Sequence, residues 1–233
     1  MVRVLRALAV PFVLAGMVAL SGVALGRIYH GPLLAQLVLG AAVGSVAVSA
    51  AMRRAPAWSV APVSVAALAA YVAWAMQLSA RRADVPGGLV DVAADALRNG
   101  VPRLLTALIP VEPQPDTIVV PVIAAWLAGL AATEVAVRAG RTLLGYLPPT
   151  LLYAGALYAV GPNAGPATWP TLAYAALAAT GLAATGRPDR GGGLSGLDAS
   201  ARAAFRLRTA TSAAAGLAVI VALASLLGPA VAQ

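Results

Sequence analysis

The chain has 233 residues, of which 61% are hydrophobic and 10% charged, with a mean hydropathy of +0.85. Soluble domains carry about 25% charged residues to cover their cores, so this composition excludes a soluble fold and predicts a polytopic membrane protein. The absence of cysteine and the presence of a single histidine, His30, exclude disulfides, thiol nucleophiles, Cys-ligated metals and clusters of several His ligands.

The net charge of +8 comes from sixteen arginines, with no lysine, against eight acids. In so apolar a chain these arginines are expected to mark cytoplasmic loops. No nucleic-acid partner and no cofactor is predicted. The fold class read from these properties is all-α, a single membrane domain of about seven transmembrane helices plus one interfacial amphipathic helix.

A membrane-crossing helix needs about 20 predominantly apolar residues. The first such stretch is about Val4–Gly26, between Arg3/Arg6 and Arg27. Its alternative reading is a cleaved signal peptide, with small residues near Val23–Gly26. The run is longer than an ordinary signal core, and a second span follows after only a short turn, Arg27–Gly31, as in a membrane hairpin. That second span is about Pro32–Met52, stopped by Arg53 and Arg54, and the third is about Ala57–Leu78, stopped by Arg81 and Arg82.

The loop from about Ser79 to Thr117 then carries an amphipathic pattern over residues 89–108. Leu89, Ala93, Ala96, Leu97, Val101, Leu104, Leu105 and Leu108 form one apolar stripe of period near 3.6, with Asp91, Asp95, Arg98, Asn99 and Arg103 elsewhere. Such a helix is expected to lie in the interface plane. Asp95 pairs in this reading with Arg98 at i+3. Gly100 and Pro102 predict a break or kink. Three prolines in Pro110–Pro115 favour an extended lead into the next span.

The fourth span is about Ile118–Val137, closed by Arg138 and Arg141. The fifth, about Leu143–Val160, contains Pro148-Pro149, which kink it unless they sit at a bend. The sixth is about Thr168–Thr185. A basic, Gly-rich linker, about Gly186–Arg208, follows; it has no Gly-Lys-Ser/Thr and so is no phosphate loop. The seventh span is about Thr209–Val231.

Orientation follows from the arginines. With the N-terminus in the cytoplasm, eleven arginines lie on inner segments and five on outer ones, where Asp84, Asp91, Asp95, Glu112 and Asp116 accompany them. Seven spans then put the C-terminus outside, in a multi-pass protein of the cell membrane.

Within the spans Glu134 is the only acid. An ionisable group at membrane depth is a functional candidate by default. Arg138 lies at i+4, however, which suits a structural ion pair on one helix face. His30, in a turn beside Tyr29, reads as solvated or interfacial. Trp58, Trp74, Trp126, Trp169, Tyr29, Tyr71, Tyr146 and Tyr174 fall near span ends as an aromatic belt would. Pro62 and Pro121 kink their helices or sit in a first turn. Gly40/Gly44 and Ala124/Ala128/Ala132 permit close helix contact. No nucleophile–base pair can be assembled, so the chain is read as lacking an enzyme's machinery.

One stretch resembles a known family. Ala94-Asp95-Ala96-Leu97-Arg98-Asn99-Gly100-Val101-Pro102-Arg103-Leu104-Leu105-Thr106 and Leu108-Ile109-Pro110 lead into Pro121–Ala128, the Glu134-x-x-x-Arg138 end and Leu144-Gly145-Tyr146-Leu147-Pro148-Pro149. Together, over about Leu89–Val160, they resemble the N-terminal membrane region of bacterial transglutaminase-like proteins of the TgpA type, especially actinobacterial ones. The resemblance implies a several-helix bundle that carries an extracytoplasmic domain with a Cys-His-Asp triad. It also implies neighbouring membrane proteins and a MoxR-type ATPase system as partners, beside the lipid bilayer itself. This chain has no cysteine and so supplies no such triad; the triad would belong to a longer or split protein, or be lost in a stand-alone relative. The function expected is therefore non-catalytic anchoring or scaffolding of extracytoplasmic machinery. The rival expectation is a small transporter or channel subunit using Glu134.

Overall fold

The structure is a computed structural model that describes residues 2–83, 88–106, 110–161 and 167–185. Among these, 88% are helical and no strand forms. Among the described residues, five helical segments are long and apolar enough to cross a membrane: Val10–Ile28, Leu33–Arg54, Trp58–Arg82, Pro115–Arg138 and Thr142–Val160. The chain is an all-α membrane protein.

In chain order the helices are α1 (Val2–Leu25), α2 (Leu33–Ala51), α3 (Ala57–Arg82), α4 (Leu89–Thr106), α5 (Pro115–Thr133), α6 (Thr142–Gly145), α7 (Leu147–Val160) and α8 (Thr168–Thr185). Short 3-10 turns, Gly26–Ile28 and Met52–Arg54, close α1 and α2, and a π-helical turn, Glu134–Arg138, continues α5. The described residues divide into two units, one with residues 2–13 and 167–185 and a larger one within residues 14–161.

In the larger unit α5 packs against α2, α3, α4 and α7. Its sequence explains this place. A helix that is apolar all round has no polar face to give to water and is buried on several sides. Ile118, Val122, Ala125, Trp126, Gly129 and Ala132 are all buried. By contrast, only 22% of the apolar window of α3 is buried, and Trp58, Val65 and Trp74 stand exposed on it, so α3 presents a broad face to lipid.

Small residues set how closely these helices approach, as Gly40 and Gly44 suggested. A Cβ at Gly40 would lie 2.2 Å from the Tyr71 hydroxyl, and one at Gly44 2.8 Å from the Trp126 ring. Two aromatic side chains, from α3 and α5, therefore lie in notches cut into α2. A Cβ at Gly129 would meet the Ser45 hydroxyl at 2.2 Å. In a membrane, where lipid is as apolar as leucine, such backbone proximity is a main source of helix association.

The amphipathic segment forms α4 and starts at Leu89 as the periodicity predicts. Ala96 is buried against Met76 of α3 and Val119 of α5, with Val72, Val92, Ala93 and Ile123 packed around it. The break expected at Gly100 and Pro102 does not occur; the helix runs through both. Gly100 is used for contact instead, since a Cβ there would lie 2.7 Å from the Asp116 carbonyl oxygen. Proline removes only one backbone donor, and on an exposed helix face the freed carbonyl can turn to water.

The Pro-rich lead is pinned as well. The backbone N–H of Val111 donates to the Ile28 carbonyl at 2.7 Å, and that of His30 donates to the Val111 carbonyl at 2.9 Å, tying this lead to the α1–α2 turn.

Other expectations are adjusted. The fifth span is divided, with α6 and α7 meeting at Tyr146. Pro148 and Pro149 stand in the first turn of α7, where proline loses no helical bond. Pro62 and Pro121 lie inside their helices, beyond the first turn. The sixth expected span is helical over its predicted bounds as α8, but it is not among the five segments apolar enough to cross. Its threonines, Trp169 and Pro170 dilute the alanines. The basic linker, about Gly186–Arg208, and the seventh span, about Thr209–Val231, lie outside the described residues.

Candidate functional site

Glu134 opens the π-helical turn at the end of α5. The Ala139 N–H donates to the Glu134 carbonyl at 2.9 Å, five residues back, which gives the wider turn. Gly140 ends it at a φ of 68°, a left-handed conformation that glycine adopts without a Cβ penalty. π-turns inside α-helices are rare and gather at functional sites.

The pair expected from sequence is present. Arg138 Nε lies 3.1 Å from Glu134 Oε2, with 27% and 25% of the two side chains exposed. Two partners come from α2 and the turn after it. Ser49 Oγ donates to Glu134 Oε1 at 2.6 Å, and Arg138 Nη2 donates to the Met52 carbonyl at 2.7 Å. Both carboxylate oxygens are thus engaged. The guanidinium is a second donor to the Met52 carbonyl, which also accepts the Ala55 N–H at 3.0 Å in the turn that closes α2. Chemically this is a charge-neutral lock between α2 and α5. Ser49 and Met52 were not singled out from sequence, because the contact spans about 85 residues; the only hint was a small hydroxyl facing a helix end rich in arginine.

A second polar cluster lies where α4 meets the start of α5. Arg103 Nη1 stands 2.7 Å from Asp95 Oδ2 and 2.7 Å from Asp116 Oδ2. Asp95 also accepts from Asn99 Nδ2 at 2.7 Å. The predicted Asp95–Arg98 pair gives way to Arg103, eight residues on, because Arg103 can satisfy two carboxylates at once while Arg98 acts only through space. The Asn99 hydrogen bond and the Arg103 guanidinium hold the Asp95 carboxyl below the ordinary carboxylate range. Asp116, and next Asp95, raise Arg103 further above its usual value.

Behind this cluster Tyr29 OH donates to the Thr117 carbonyl at 2.7 Å. Thr117 is four residues before Pro121, whose missing N–H leaves that carbonyl free within the helix. Burial pushes the Tyr29 phenol up, so it stays a donor. On the neighbouring edge, Ser79 Oγ donates to the Pro113 carbonyl.

The aromatic belt is corrected in part. Trp58, Trp74 and Trp169 are exposed, as a belt requires, but Trp126, Tyr29, Tyr146 and Tyr174 are buried. Two of these polar tips find partners inside. Trp126 Nε1 donates to Ser64 Oγ at 3.1 Å, beside the Tyr29 bond already described. Half-buried Tyr71 donates to the Leu37 carbonyl at 2.6 Å and lies 5.7 Å from Trp126, centroid to centroid.

His30 is exposed. Among the described residues no three of His, Asp and Glu gather as metal ligands would. An apolar groove of about 220 Å³ runs between α1, α2, α5 and α7, lined by Gly22, Val38, Ala125, Leu152 and Gly155 among others, with no ionisable group. Helix packing and polar locks therefore define the class as an all-α membrane bundle. No known protein family, characterised protein or solved structure matches this chain.

Proposed function

We propose that this chain is a non-catalytic, multi-pass module of the cell membrane that anchors or scaffolds extracytoplasmic machinery. One observation carries the reading. Glu134, at the far end of α5 from Asp116, has both oxygens engaged by Ser49 and Arg138, and Arg138 continues to the Met52 carbonyl. A carboxylate held in this way joins helices. A group that relays ions or protons needs an open coordination position or a neighbouring relay site.

The α4 end supports the same reading, because a helix clamped by Arg103 to Asp116 is a fixed platform rather than a moving lid. Counted over the seven spans read from the sequence, the arginine asymmetry, eleven against five, supports an N-terminus and a Glu134 end in the cytoplasm with α4 outside. The resemblance to the TgpA-type membrane region makes an extracytoplasmic transglutaminase-like domain, neighbouring membrane proteins and a MoxR-type ATPase system the partners to seek. The transporter or channel reading keeps one favourable observation, the π-turn at Glu134.

Glu134→Gln separates the two readings, because the amide keeps an acceptor for Ser49 while losing the charge. Purified protein in sealed vesicles is expected to show no proton or cation flux above empty vesicles, for wild type and variant alike. A wild-type flux abolished by a well-folded Glu134→Gln would establish the transporter reading instead.

A further inference from the structure

Two basic turns meet at the Glu134 end of the larger unit. Arg53 and Arg54 close the turn after α2, and Arg138 and Arg141 flank Gly140 after α5. The Arg138 bond to the Met52 carbonyl, 2.7 Å long, holds these turns side by side. Glu134 is the only acid on either turn, and Arg138 and Ser49 already engage it. Arg53, Arg54 and Arg141 are exposed, and among the described residues none of them forms an ion pair.

The surface beside these cations is apolar. Leu143, Leu144 and Leu147 are exposed just after Arg141, and Trp58 is exposed one turn after Arg54. From these juxtaposed features we infer that the two turns form a binding site for an anionic phospholipid. Its phosphate headgroup meets Arg53, Arg54 and Arg141, and its acyl chains lie on the leucines and Trp58. Guanidinium forks bind phosphate oxygens in bidentate fashion, and basic pockets at helix ends take anionic headgroups. In a membrane the exposed leucines and Trp58 face acyl chains, so an anion that reaches the arginines from the bilayer brings its own chains onto them, whereas a free phosphate or an acidic protein surface would meet the cations from water alone. Only a molecule anionic at one end and apolar behind it matches both. This site goes beyond the anchoring reading, since it holds for either orientation of the chain.

The test uses the full chain purified in detergent, with phosphatidylglycerol or phosphatidylcholine added, followed by native mass spectrometry and thermal unfolding. Wild type is expected to retain phosphatidylglycerol at least fivefold more than phosphatidylcholine and to melt higher with it. Substituting Arg53→Gln, Arg54→Gln and Arg141→Gln together should abolish the preference. Arg81→Gln with Arg82→Gln, at the other end of α3, should keep it. Equal retention of the two lipids by wild type, or an unchanged preference in the triple variant, would overturn the site. So would the same stabilisation by inorganic phosphate alone, or a preference lost equally in the Arg81/Arg82 control. If the triple variant does not fold, Arg141→Gln alone decides, with a severalfold drop in retention expected and no drop overturning the site.

Discussion

Replacing Gly44 with leucine is expected to separate α2 from α5 and lower the unfolding temperature more than any single change to a charged group. The Trp126 ring lies 2.8 Å from where the first side-chain carbon would stand. That ring cannot swing aside freely, because its N–H is bonded to Ser64 and Tyr71 packs against it. Overfilling a packed interior costs about 1–3 kcal/mol even where neighbours can shift. Here the helices themselves must part, so a loss at the upper end, about 3 kcal/mol, is expected. Gly155→Ala is the control. Nothing lies within 4 Å of a Cβ at Gly155, and alanine favours the helix by up to about 1 kcal/mol, so that variant should melt at or above the wild type. If Gly44→Leu melts with the wild type, the notch on α2 is not where Trp126 sits.

The second large effect is expected at Arg138. Arg138→Ala removes the guanidinium's bond to the Met52 carbonyl and leaves the Glu134 carboxylate without its counter-charge. Breaking one side of a fully buried pair costs about 3–5 kcal/mol, while an exposed pair contributes about 0–1 kcal/mol. With roughly a quarter of each side chain exposed, the loss should fall between these limits, at about 2 kcal/mol. Glu134→Gln should cost less, because Gln still accepts from Ser49 and Arg138 still reaches Met52. The double variant should be less destabilised than the two single losses combined, since the unpaired charge is gone. Thermal unfolding of the four proteins in one detergent reads this cycle. Strict additivity would show that Glu134 and Arg138 do not stabilise each other.

Much of the helical layout is legible in the sequence, and the reasons differ by element. α4 is read correctly at its start because charge and apolar residues separate onto two faces, a pattern that survives any tertiary context. Glu134 and Arg138 are read correctly because i+4 spacing is local. Ser49 and Met52 are not legible, since nothing near them in the chain refers to residue 134. Asp95 is assigned the wrong arginine for a related reason: local spacing favours Arg98, but Asp116, brought in by α5, makes Arg103 the common partner. The aromatic residues mislead because tyrosine and tryptophan suit an interface and an interior equally well. The interior choice depends on acceptors such as the Thr117 carbonyl, which Pro121 sets free at a distance from Tyr29. The span count rests on alanine-rich stretches of intermediate hydropathy, and α8 shows that such a stretch can be helical without being apolar enough to cross.

The most direct test of the bundle is sided labelling. The chain has no cysteine, so Arg98→Cys on α4 and Ala139→Cys after the π-turn, both at exposed positions, give single reactive thiols. With α5 crossing the membrane between them, an impermeant maleimide added to intact cells is expected to label position 98, and to label position 139 only after the membrane is opened. Labelling of both thiols from the same side would contradict a membrane-spanning α5 and, with it, the scaffold built around that helix.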